Sequence, residues 1–428
     1  MAQVQTKGAL TKHGKKAALL SIIPGLGQVY NKQIIKGLTF LGLFVAFCFV
    51  FKDLFNMGYW GILTLGVEVP RDNSIFLLAE GIIAIIVTVF GLLFYWLNIK
   101  DAYANGKRRD EGFKVYSVKE QYHLLIEDGY PYFITSPAFM LLVFSVIFPI
   151  LFSFALVFTN YDLYHTPPGN LVDWVGLETL KQIFTVEIWR STFFDVLGWT
   201  IVWTLVASTL QISIGVFLAV VVHQKGIRFK KFFRTILVLP WAVPGFVTIL
   251  IFSGMFNDTF GAINNSILPL LGLDGIPWLT DANWTRLALL IVQSWLGFPY
   301  IFIVTTGVLQ SIPEELYEAS TIDGASSIQK FKNITLPLVL YSIAPIIITQ
   351  YTFNFNNFNI IYLFNAGGPA VPNSTAGGTD ILVSWIYKLT MQSGQYALAA
   401  ALTLLLSVFV IGIAIWQFKR TKSFKEVI

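Results

Sequence analysis

Long uncharged apolar stretches limit the folds open to this chain more than any other feature. Of its 428 residues, 55% are hydrophobic and only 12% are charged. A helix needs about 20 residues to cross the hydrocarbon core of a bilayer. Runs of about this length, the first of them short, predict eight membrane-spanning helices at residues 37–51, 75–97, 132–158, 194–222, 235–256, 287–308, 340–364 and 396–418. The predicted fold class is therefore an all-α polytopic membrane protein.

The lysine and arginine residues are distributed unevenly between the two sides of the membrane. With the N-terminus inside, 23 of the 29 fall in segments assigned to the inner side and 6 in outer loops. Such an excess of positive charge is typical of cytoplasmic segments. We therefore predict a multi-pass plasma membrane protein with both termini in the cytoplasm. Because the basic residues follow the membrane sides and form no single patch, we expect membrane lipid rather than nucleic acid as a partner.

The spans fall into two groups along the chain. Residues 1–131 hold two additional spans and a charged cytoplasmic connection, and residues 132–428 hold a core of six spans. The outer loops between the core spans are short, which leaves no room for a separate binding domain. We predict these two regions as the domains of the chain.

Signatures of catalysis and of ion coupling are missing from the sequence. There is no G-x-x-x-x-G-K-[ST] phosphate loop, so any ATP that drives this protein must bind to another chain. The four histidines lack metal-ligand spacing, and we expect neither a metal site nor enzymatic activity. Apart from Asp195 at the very end of the span at residues 194–222, Glu80 is the only acidic residue inside a predicted span. This disfavours an ion-coupled carrier but leaves it as an alternative.

A polar segment with helix-forming residues, at 311–337, separates the sixth and seventh predicted spans. Ser311 is placed to cap a helix whose first turn holds proline and glutamate, which favour a helix N-terminus. Gly324 can take the left-handed conformation in which many helices end, and Ser326 or Ser327 can cap a second short helix. A helical hairpin of this kind has little structural purpose in a membrane protein unless a partner binds it.

Amide side chains are concentrated in the seventh predicted span, where hydrocarbon favours apolar residues. Gln350, Asn354 and Asn357 are spaced at i, i+4 and i+7, which predicts one helical face, with Phe353 at its border. Carboxamides are costly in hydrocarbon unless they are hydrogen-bonded, so these groups require partners. The sixth span offers a face with the same spacing, formed by Gln293, Leu296, Gly297 and Tyr300.

Two interpretations of these polar faces remain open. Uncharged amides can exchange hydrogen bonds with the hydroxyl groups of a neutral, hydroxyl-rich ligand, while aromatic rings contact its C–H surfaces. Asn and Gln also join membrane helices to one another with no ligand involved. Under the first interpretation, we expect Tyr300, Asn354 and Asn357 to contact the ligand.

The polar hairpin resembles the coupling loop of ABC importer permeases, which docks on the ATPase. Its residues follow the order Glu-Ala-small, three residues, Gly, nine residues and Ile-x-Leu-Pro. Ser320 is the one departure, because Ala is commoner there. The resemblance implies a set of ATPase-coupling residues, namely Glu318, Ala319, Ser320, Gly324, Ile334, Leu336 and Pro337.

Four further segments resemble the larger permease subunit of maltose/maltodextrin ABC importers, namely residues 295–300, 309–313, 353–358 and 365–369. The resemblance is close from residue 132 onward and loose in the first two spans. It implies a type I importer permease for malto-oligosaccharides. The sugar-site positions that it implies are Leu296, Gly297, Tyr300, Phe353, Asn354 and Asn357.

The chain departs from this family at Gln293 and Gln350, where the shorter Asn and Ser are expected. We include both residues in the predicted substrate-binding set, because their amides lie on the same faces. Longer side chains at two positions leave the identity of the sugar open. The alternatives within the class are a galacto-oligosaccharide and a cyclodextrin.

The resemblance also implies the partners of this chain. A second, homologous permease subunit would complete the pathway, and two copies of a cytoplasmic ABC ATPase would bind ATP and Mg²⁺, so no cofactor is expected here. An extracellular solute-binding lipoprotein would deliver the oligosaccharide. The loop at residues 160–193 lacks the large insertion of Gram-negative members, which favours a Gram-positive type of importer.

Overall fold

The computed structural model describes residues 12–420 apart from residues 117, 128 and 225. Its α-helices are α1 Lys12–Leu20, α2 Leu26–Tyr30, α3 Ile34–Val50, α4 Lys52–Thr64, α5 Ser74–Asp110, α6 Val118–Glu127, α7 Tyr130–Leu142, α8 Phe148–Leu156, α9 Glu178–Thr185, α10 Glu187–His223, α11 Lys230–Val238, α12 Gly245–Met255, α13 Leu268–Leu270, α14 Ala282–Ser311, α15 Glu314–Ile322, α16 Ser327–Lys330, α17 Leu336–Phe355, α18 Phe358–Asn365, α19 Leu382–Met391 and α20 Tyr396–Arg420. The described residues form no β-strand beyond two isolated bridges, which confirms the all-α prediction.

Short segments of other helical types extend several of these helices. π-Helical turns at Val143–Ile147 and Phe331–Thr335 join α7 to α8 and α16 to α17, and a third follows Ala262 at Ile263–Ile267. A 3₁₀ turn, Leu239–Ala242, continues α11. The helix of the seventh span therefore begins inside the polar hairpin, at Ser327, and runs to Phe355 without interruption.

Several of these helices are long and apolar enough to cross a membrane. Five qualify singly, namely Ser74–Asp110, Tyr130–Leu156, Glu187–His223, Ala282–Ser311 and Ser327–Phe355. Two bent pairs, Ile34–Val50 with Lys52–Thr64 and Lys230–Ala242 with Gly245–Met255, raise the number to seven if each pair is one span. A shorter apolar stretch, Tyr396–Gly412, lies in α20. The number of eight spans stays a prediction.

The chain divides into two compact units, Met1–Leu177 and Glu178–Ile428. In the first unit, α1 and α4 pack along the long helix α5. Buried polar groups reinforce this packing, since the Asn98 side chain accepts the Gly25 N–H at 3.2 Å. The predicted boundary between residues 131 and 132, which was drawn from the grouping of the spans, stays a prediction.

The second unit is built around α10, which packs against α14 and α17. Large side chains from several helices are fully buried in it, among them Trp203, Phe302 and Trp385. The Trp203 indole N–H donates to the main-chain oxygen of Asn354 at 3.0 Å, so this buried aromatic side chain is also hydrogen-bonded to a neighbouring helix. This satisfied contact ties α10 to the C-terminal end of α17.

Two of the predicted spans do not form continuous helices, so the prediction of one unbroken helix is wrong for each of them. Residues 235–256 are broken, because the segment Lys230–Ala242 meets Gly245–Met255 at 88°. Pro240 and Pro244 explain the break, since proline lacks an N–H group and clashes with the preceding helical turn. Residues 340–364 are also interrupted, since α17 ends at Phe355 and α18 begins at Phe358.

Candidate functional site

The second unit contains a cavity of about 660 Å³ at the breaks in these two helices. This volume lies in the range of small-molecule binding sites. Its amide-bearing lining residues are Gln211, Gln293, Gln350, Asn357 and Asn359, and its aromatic ones are Trp241, Phe246, Tyr300 and Phe353. None of the described residues that line the cavity is acidic, basic or histidine. The cavity therefore presents polar but uncharged groups to a ligand.

A buried network of side-chain hydrogen bonds joins α10, α14, α17 and the break after α17 at the cavity wall. Gln293 on α14 donates to the Asn354 side-chain oxygen at 2.9 Å, and Asn354 donates to the Ser208 hydroxyl on α10 at 2.9 Å. Asn357 in turn donates to the Gln293 oxygen at 3.2 Å. The network thus satisfies most of the amide groups that burial would otherwise penalise.

Three other polar lining residues remain available to a ligand. Gln350, Asn359 and the Tyr300 hydroxyl make no side-chain hydrogen bond within the described part of the chain, and Asn359 is exposed. The Gln211 side-chain oxygen is buried and also lacks a partner there. These groups supply both donors and acceptors for a hydroxyl-rich molecule.

Gly297 allows α14 to approach α10 closely at the cavity. A Cβ atom at this position would overlap the carboxamide of Gln211, so no larger residue fits without displacing that side chain. The close approach explains why the sixth predicted span carries glycine between Leu296 and Phe298. It also positions Gln211 on the cavity wall.

The break between α11 and α12 supplies aromatic surface to the cavity. Trp241, in the 3₁₀ turn, has its ring 5.5 Å from the Tyr300 ring, and its side chain is 55% exposed. Phe246 and Phe353 are exposed to a similar degree at 58% and 59%. Aromatic faces left open in a cavity can contact an apolar ligand surface.

The structure brings together seven of the eight predicted substrate-site residues, which line this cavity. Asn354 differs, because it is fully buried and lies behind the wall as the centre of the amide network. The expectation that Gln350, Asn354 and Asn357 share one helical face is wrong for Asn357, which lies beyond the end of α17. Its amide still faces Gln293, because the chain turns at the break.

Four amide-bearing or aromatic lining residues were not predicted from the sequence, namely Gln211, Trp241, Phe246 and Asn359. The signal for Trp241 and Phe246 was present, because two prolines within five residues of an apolar run indicate a helix break. Gln211 is a single amide in a long apolar helix, which is a further signal of a buried polar contact.

The polar hairpin forms a helix, a left-handed turn and a second helix. Gly324 has φ +76°, and α16 begins with a capping box in which the Ser326 hydroxyl accepts the Gln329 N–H. The prediction that Ser311 caps the first helix is wrong, because α14 continues to Ser311 and Pro313 precedes α15 without a side-chain cap. The Ser311 hydroxyl instead donates to the Val308 oxygen at 2.8 Å.

The predicted coupling residues occupy both arms of this hairpin. Glu318, Ala319, Gly324 and Pro337 are exposed, and Ser320, Ile334 and Leu336 are half-buried. The two arms are joined by a hydrogen bond of 2.9 Å between the Tyr317 and Thr335 hydroxyls. Two aliphatic side chains that were not predicted, Ile322 and Ile328, are 88% and 78% exposed on either side of Gly324.

These features together define a helical membrane transport subunit with an uncharged internal cavity and an exposed polar hairpin. The chain belongs to the family of binding-protein-dependent transport system inner membrane components, whose family model matches residues 211–423. The matched region includes the cavity and the hairpin.

Similar proteins are sugar transport subunits. The chain is 70% identical over 415 residues to the galactooligosaccharides transport system permease protein GanP of Bacillus subtilis (strain 168), with 97% of this chain and 99% of GanP covered. It is 50% identical over 418 residues to the maltodextrin transport system permease protein MalC of Streptococcus pneumoniae (serotype 4), with 96% of each chain covered. The maltose/maltodextrin permease MalF of Escherichia coli (strain K12) is 40% identical over 260 residues, which are 60% of this chain and half of MalF.

A solved structure shares the fold. The structure of a bacterial ABC transporter that imports the acidic polysaccharide alginate matches with a TM-score of 0.57 at 20% sequence identity, covering 69% of this chain and 96% of that one. The chain is therefore a multi-pass membrane permease subunit of an ABC sugar importer, and it is a transport subunit rather than an enzyme. The predicted resemblance to maltodextrin-type sugar permeases is confirmed.

Proposed function

We propose that this chain forms one half of the membrane pathway of an ATP-driven importer of neutral hexose oligosaccharides and binds the sugar in the cavity at the two helix breaks. The observation that carries this proposal is the cavity wall, whose described residues combine amides and aromatic rings and include no charged group. Amides match the hydroxyl groups of a neutral sugar, and open rings match its C–H faces. A charged sugar would instead require a basic or acidic partner.

Two oligosaccharide classes each have a specific observation in their favour. The segments at residues 295–300 and 353–358 resemble maltodextrin permeases, and two curated relatives with that name are about 50% identical to this chain. Galacto-oligosaccharides are favoured by the 70% identity with GanP over nearly the whole chain. Malto-oligosaccharides and galacto-oligosaccharides are both neutral, so the uncharged cavity suits either class. Transport of labelled sugars separates the two.

The polar hairpin is the proposed docking site of the ATPase. Exposed Ile322 and Ile328 would be unfavourable in water, and a partner that covers them removes this penalty. Exposed Glu318 can accept charge-assisted hydrogen bonds from the same partner. Two ATPase copies would bind ATP and Mg²⁺, one on this hairpin and one on the equivalent hairpin of a second, homologous permease subunit.

The remaining features of the proposal concern sidedness and delivery. The excess of basic residues in the predicted inner segments favours cytoplasmic termini and a cytoplasmic hairpin. A solute-binding lipoprotein would then deliver the oligosaccharide to the outer loops. Closure of the ATPase pair would move the hairpins and open the cavity outward.

Uptake of labelled maltotriose and galactotriose by cells that lack this chain tests the proposal. We expect uptake of at least one sugar to be lost on deletion, to return with the intact gene, and to require the partner ATPase. The transported sugar identifies the substrate class. Uptake that continues without the ATPase but stops when the ion gradient is dissipated would show an ion-coupled carrier instead.

A further inference from the structure

Helix α11, Lys230–Val238, combines basic and aromatic side chains. The segment that contains it meets α12 at 88°, so it does not continue the direction of the following span. Phe229, Phe232 and Phe233 are 78%, 60% and 44% exposed beside its basic residues. A helix with cations on one face and aromatic residues on the other is typical of a segment at the membrane interface.

Three nitrogen-bearing side chains converge where α10 ends and α11 begins. The Lys230 ammonium donates to the main-chain oxygen of His223 at 3.0 Å, and Lys230 and Arg234 lie one turn apart on the same face of α11. Both cations are close enough to the His223 ring to interact with it electrostatically. Like charges held together in this way favour an anion between them.

The cationic cluster, formed by Lys230 and Arg234 beside the His223 ring, has no anionic partner in the described part of the chain. Neither Lys230 nor Arg234 takes part in an ion pair with a described carboxylate. No Asp or Glu occurs between Asp195 and Asp258 in the sequence. The Arg234 Nε and the His223 Nδ1 are both buried without a hydrogen-bond partner. Buried polar atoms without partners are uncommon in proteins, and a bound ion or ligand is one way in which they are satisfied.

An apolar groove of about 400 Å³ begins at the same arginine. It is lined by Arg234, Thr235, Val238, Leu239 and Ala242. Apart from Arg234 and Thr235, its lining is aliphatic, and it is open to the surroundings of the helix. A cationic head with an apolar groove leading away from it matches a molecule that carries a phosphate and a hydrocarbon chain.

We propose that the cationic cluster binds the phosphate group of an anionic phospholipid in the inner leaflet, with an acyl chain in the adjoining groove. Arg234 donates hydrogen bonds to the phosphate oxygens, and Lys230 neutralises its charge. Basic pockets on the cytoplasmic side of membrane proteins bind anionic headgroups in this way. The placement in the inner leaflet rests on the proposed orientation of the chain.

The lipid site is linked to the sugar cavity through a short continuous segment. Helix α11 leads directly into Leu239–Ala242, and Pro240 and Trp241 line the cavity. A lipid that holds α11 at the interface therefore holds Trp241 against Tyr300. We expect transport to depend on anionic lipid, a consequence that rests on the proposed function.

Binding of dioleoylphosphatidylglycerol to the purified complex, followed by native mass spectrometry, tests the site without reference to sugar. Arg234→Gln and Lys230→Gln should each raise the apparent Kd of the tightest bound lipid at least fivefold. Lys231→Gln is the matched control, because it makes the same change in charge on the same helix outside the cluster. We expect it to change this Kd less than twofold.

Three results would overturn the proposal. An equal effect of all three substitutions would show diffuse attraction to surface charge. Equal retention of phosphatidylcholine, which has the same phosphate group but no net charge, would show that the site does not select an anionic lipid. Displacement of the lipid by millimolar inorganic phosphate would identify a site for free anions. If Arg234→Gln does not assemble, Arg234→Lys and Lys230→Gln provide the same comparison.

A second measurement separates this proposal from the proposed function. Sugar uptake into proteoliposomes should be several-fold faster with 30% phosphatidylglycerol than with phosphatidylcholine alone. If uptake is absent in both lipids while lipid binding is intact, the result contradicts the proposed function but not the lipid site. Uptake that is equal in both lipids contradicts the link between the lipid and the cavity.

Discussion

Asn354 connects three helices through one side chain. It accepts a hydrogen bond from Gln293, donates one to Ser208, and its main-chain oxygen accepts the Trp203 indole N–H. Of the two interpretations that the amide spacing left open, helix joining describes Asn354. Asn357 bonds to Gln293 and also lines the cavity, and its contact with a ligand stays a prediction. The spacing predicted that amides would gather here, but it could not distinguish a lining residue from one behind the wall.

Asn354→Ala should therefore lower stability more than a substitution of an exposed amide. The change leaves the Gln293 N–H and the Ser208 hydroxyl without their partner, at about 1–3 kcal/mol for a buried group. The melting temperature of the assembled complex is the measurement. Asn356→Ala is the matched control, because Asn356 is exposed and bonds only to its own helix at Thr352. Equal melting temperatures for the two variants would contradict the structural role of Asn354.

A buried ion pair fixes the loop before α19. The Asp380 carboxylate is fully buried and contacts the Lys388 ammonium at 2.6 Å, the Ser384 hydroxyl at 2.8 Å and the Gly377 N–H at 2.7 Å. Burial raises the pKa of the Asp380 carboxyl, and the Lys388 charge and the hydrogen bonds oppose that shift. Without Lys388, burial would raise the pKa of the Asp380 carboxyl further, because the opposing positive charge would be gone.

Lys388→Met should thus destabilise the complex by about 3–5 kcal/mol at neutral pH, because it leaves an unpaired buried charge. A carboxyl whose pKa is raised in the folded state contributes stability at low pH that is lost as the pH rises through this pKa. Thermal unfolding between pH 4 and pH 8 should show the variant recovering as the pH falls. Lys181→Met, at an exposed lysine, is the control. Uniform destabilisation at every pH would refute the assignment to Asp380.

At the scale of single elements, the hairpin between α14 and α17 was the most predictable part of the chain. Gly324 and Ser326 take the predicted turn and cap, because both depend on residues only a few positions away. The cap at Ser311 was wrong, because tertiary packing extends α14 past the position at which local signals end it.

Gly324→Val should uncouple transport from ATP hydrolysis, or prevent the ATPase from binding. The φ of +76° is strained for a β-branched residue, while the surrounding space is open, so the effect is on the direction of the two helices rather than on packing. Gly272→Val is the matched control, since Gly272 has φ +67° in equally open space in a predicted outer loop. The ratio of sugar taken up to ATP hydrolysed is the measurement. A normal ratio in Gly324→Val would indicate that the hairpin is only a connector.

Only one of the two helix breaks at the cavity has a clear signal in the sequence. Pro240 and Pro244 carry a local signal for the fifth span, although hydropathy alone describes residues 235–256 as one apolar run. The interruption at Asn356 and Asn357 has no proline or glycine to mark it. At this interruption Asn357 donates to Gln293, 64 positions away in the chain, a contact that no local pattern indicates. The cavity forms at these two breaks, so its wall was only partly predictable.

At the scale of the whole molecule, the orientation in the membrane remains to be measured. The distribution of basic residues predicts that Asn283 faces outward and Ser326 faces the cytoplasm, and both side chains are exposed. In a Cys48→Ser background, Asn283→Cys should react with a membrane-impermeant thiol reagent in intact cells. Ser326→Cys should react only after the cells are opened. Labelling of Ser326→Cys from outside would place the hairpin beyond the reach of a cytoplasmic ATPase.

The most direct test of the sugar cavity is transport by reconstituted complexes that carry Asn357→Ala or Tyr300→Ala. Each change removes a polar lining group, so an unpaired sugar hydroxyl should cost about 1–3 kcal/mol. We predict that uptake per assembled complex falls several-fold or more, while ATP hydrolysis stimulated by the binding protein continues. Asn356→Ala, outside the cavity, should transport normally. Unchanged uptake per complex in both cavity variants would contradict the assignment of this cavity as the sugar site.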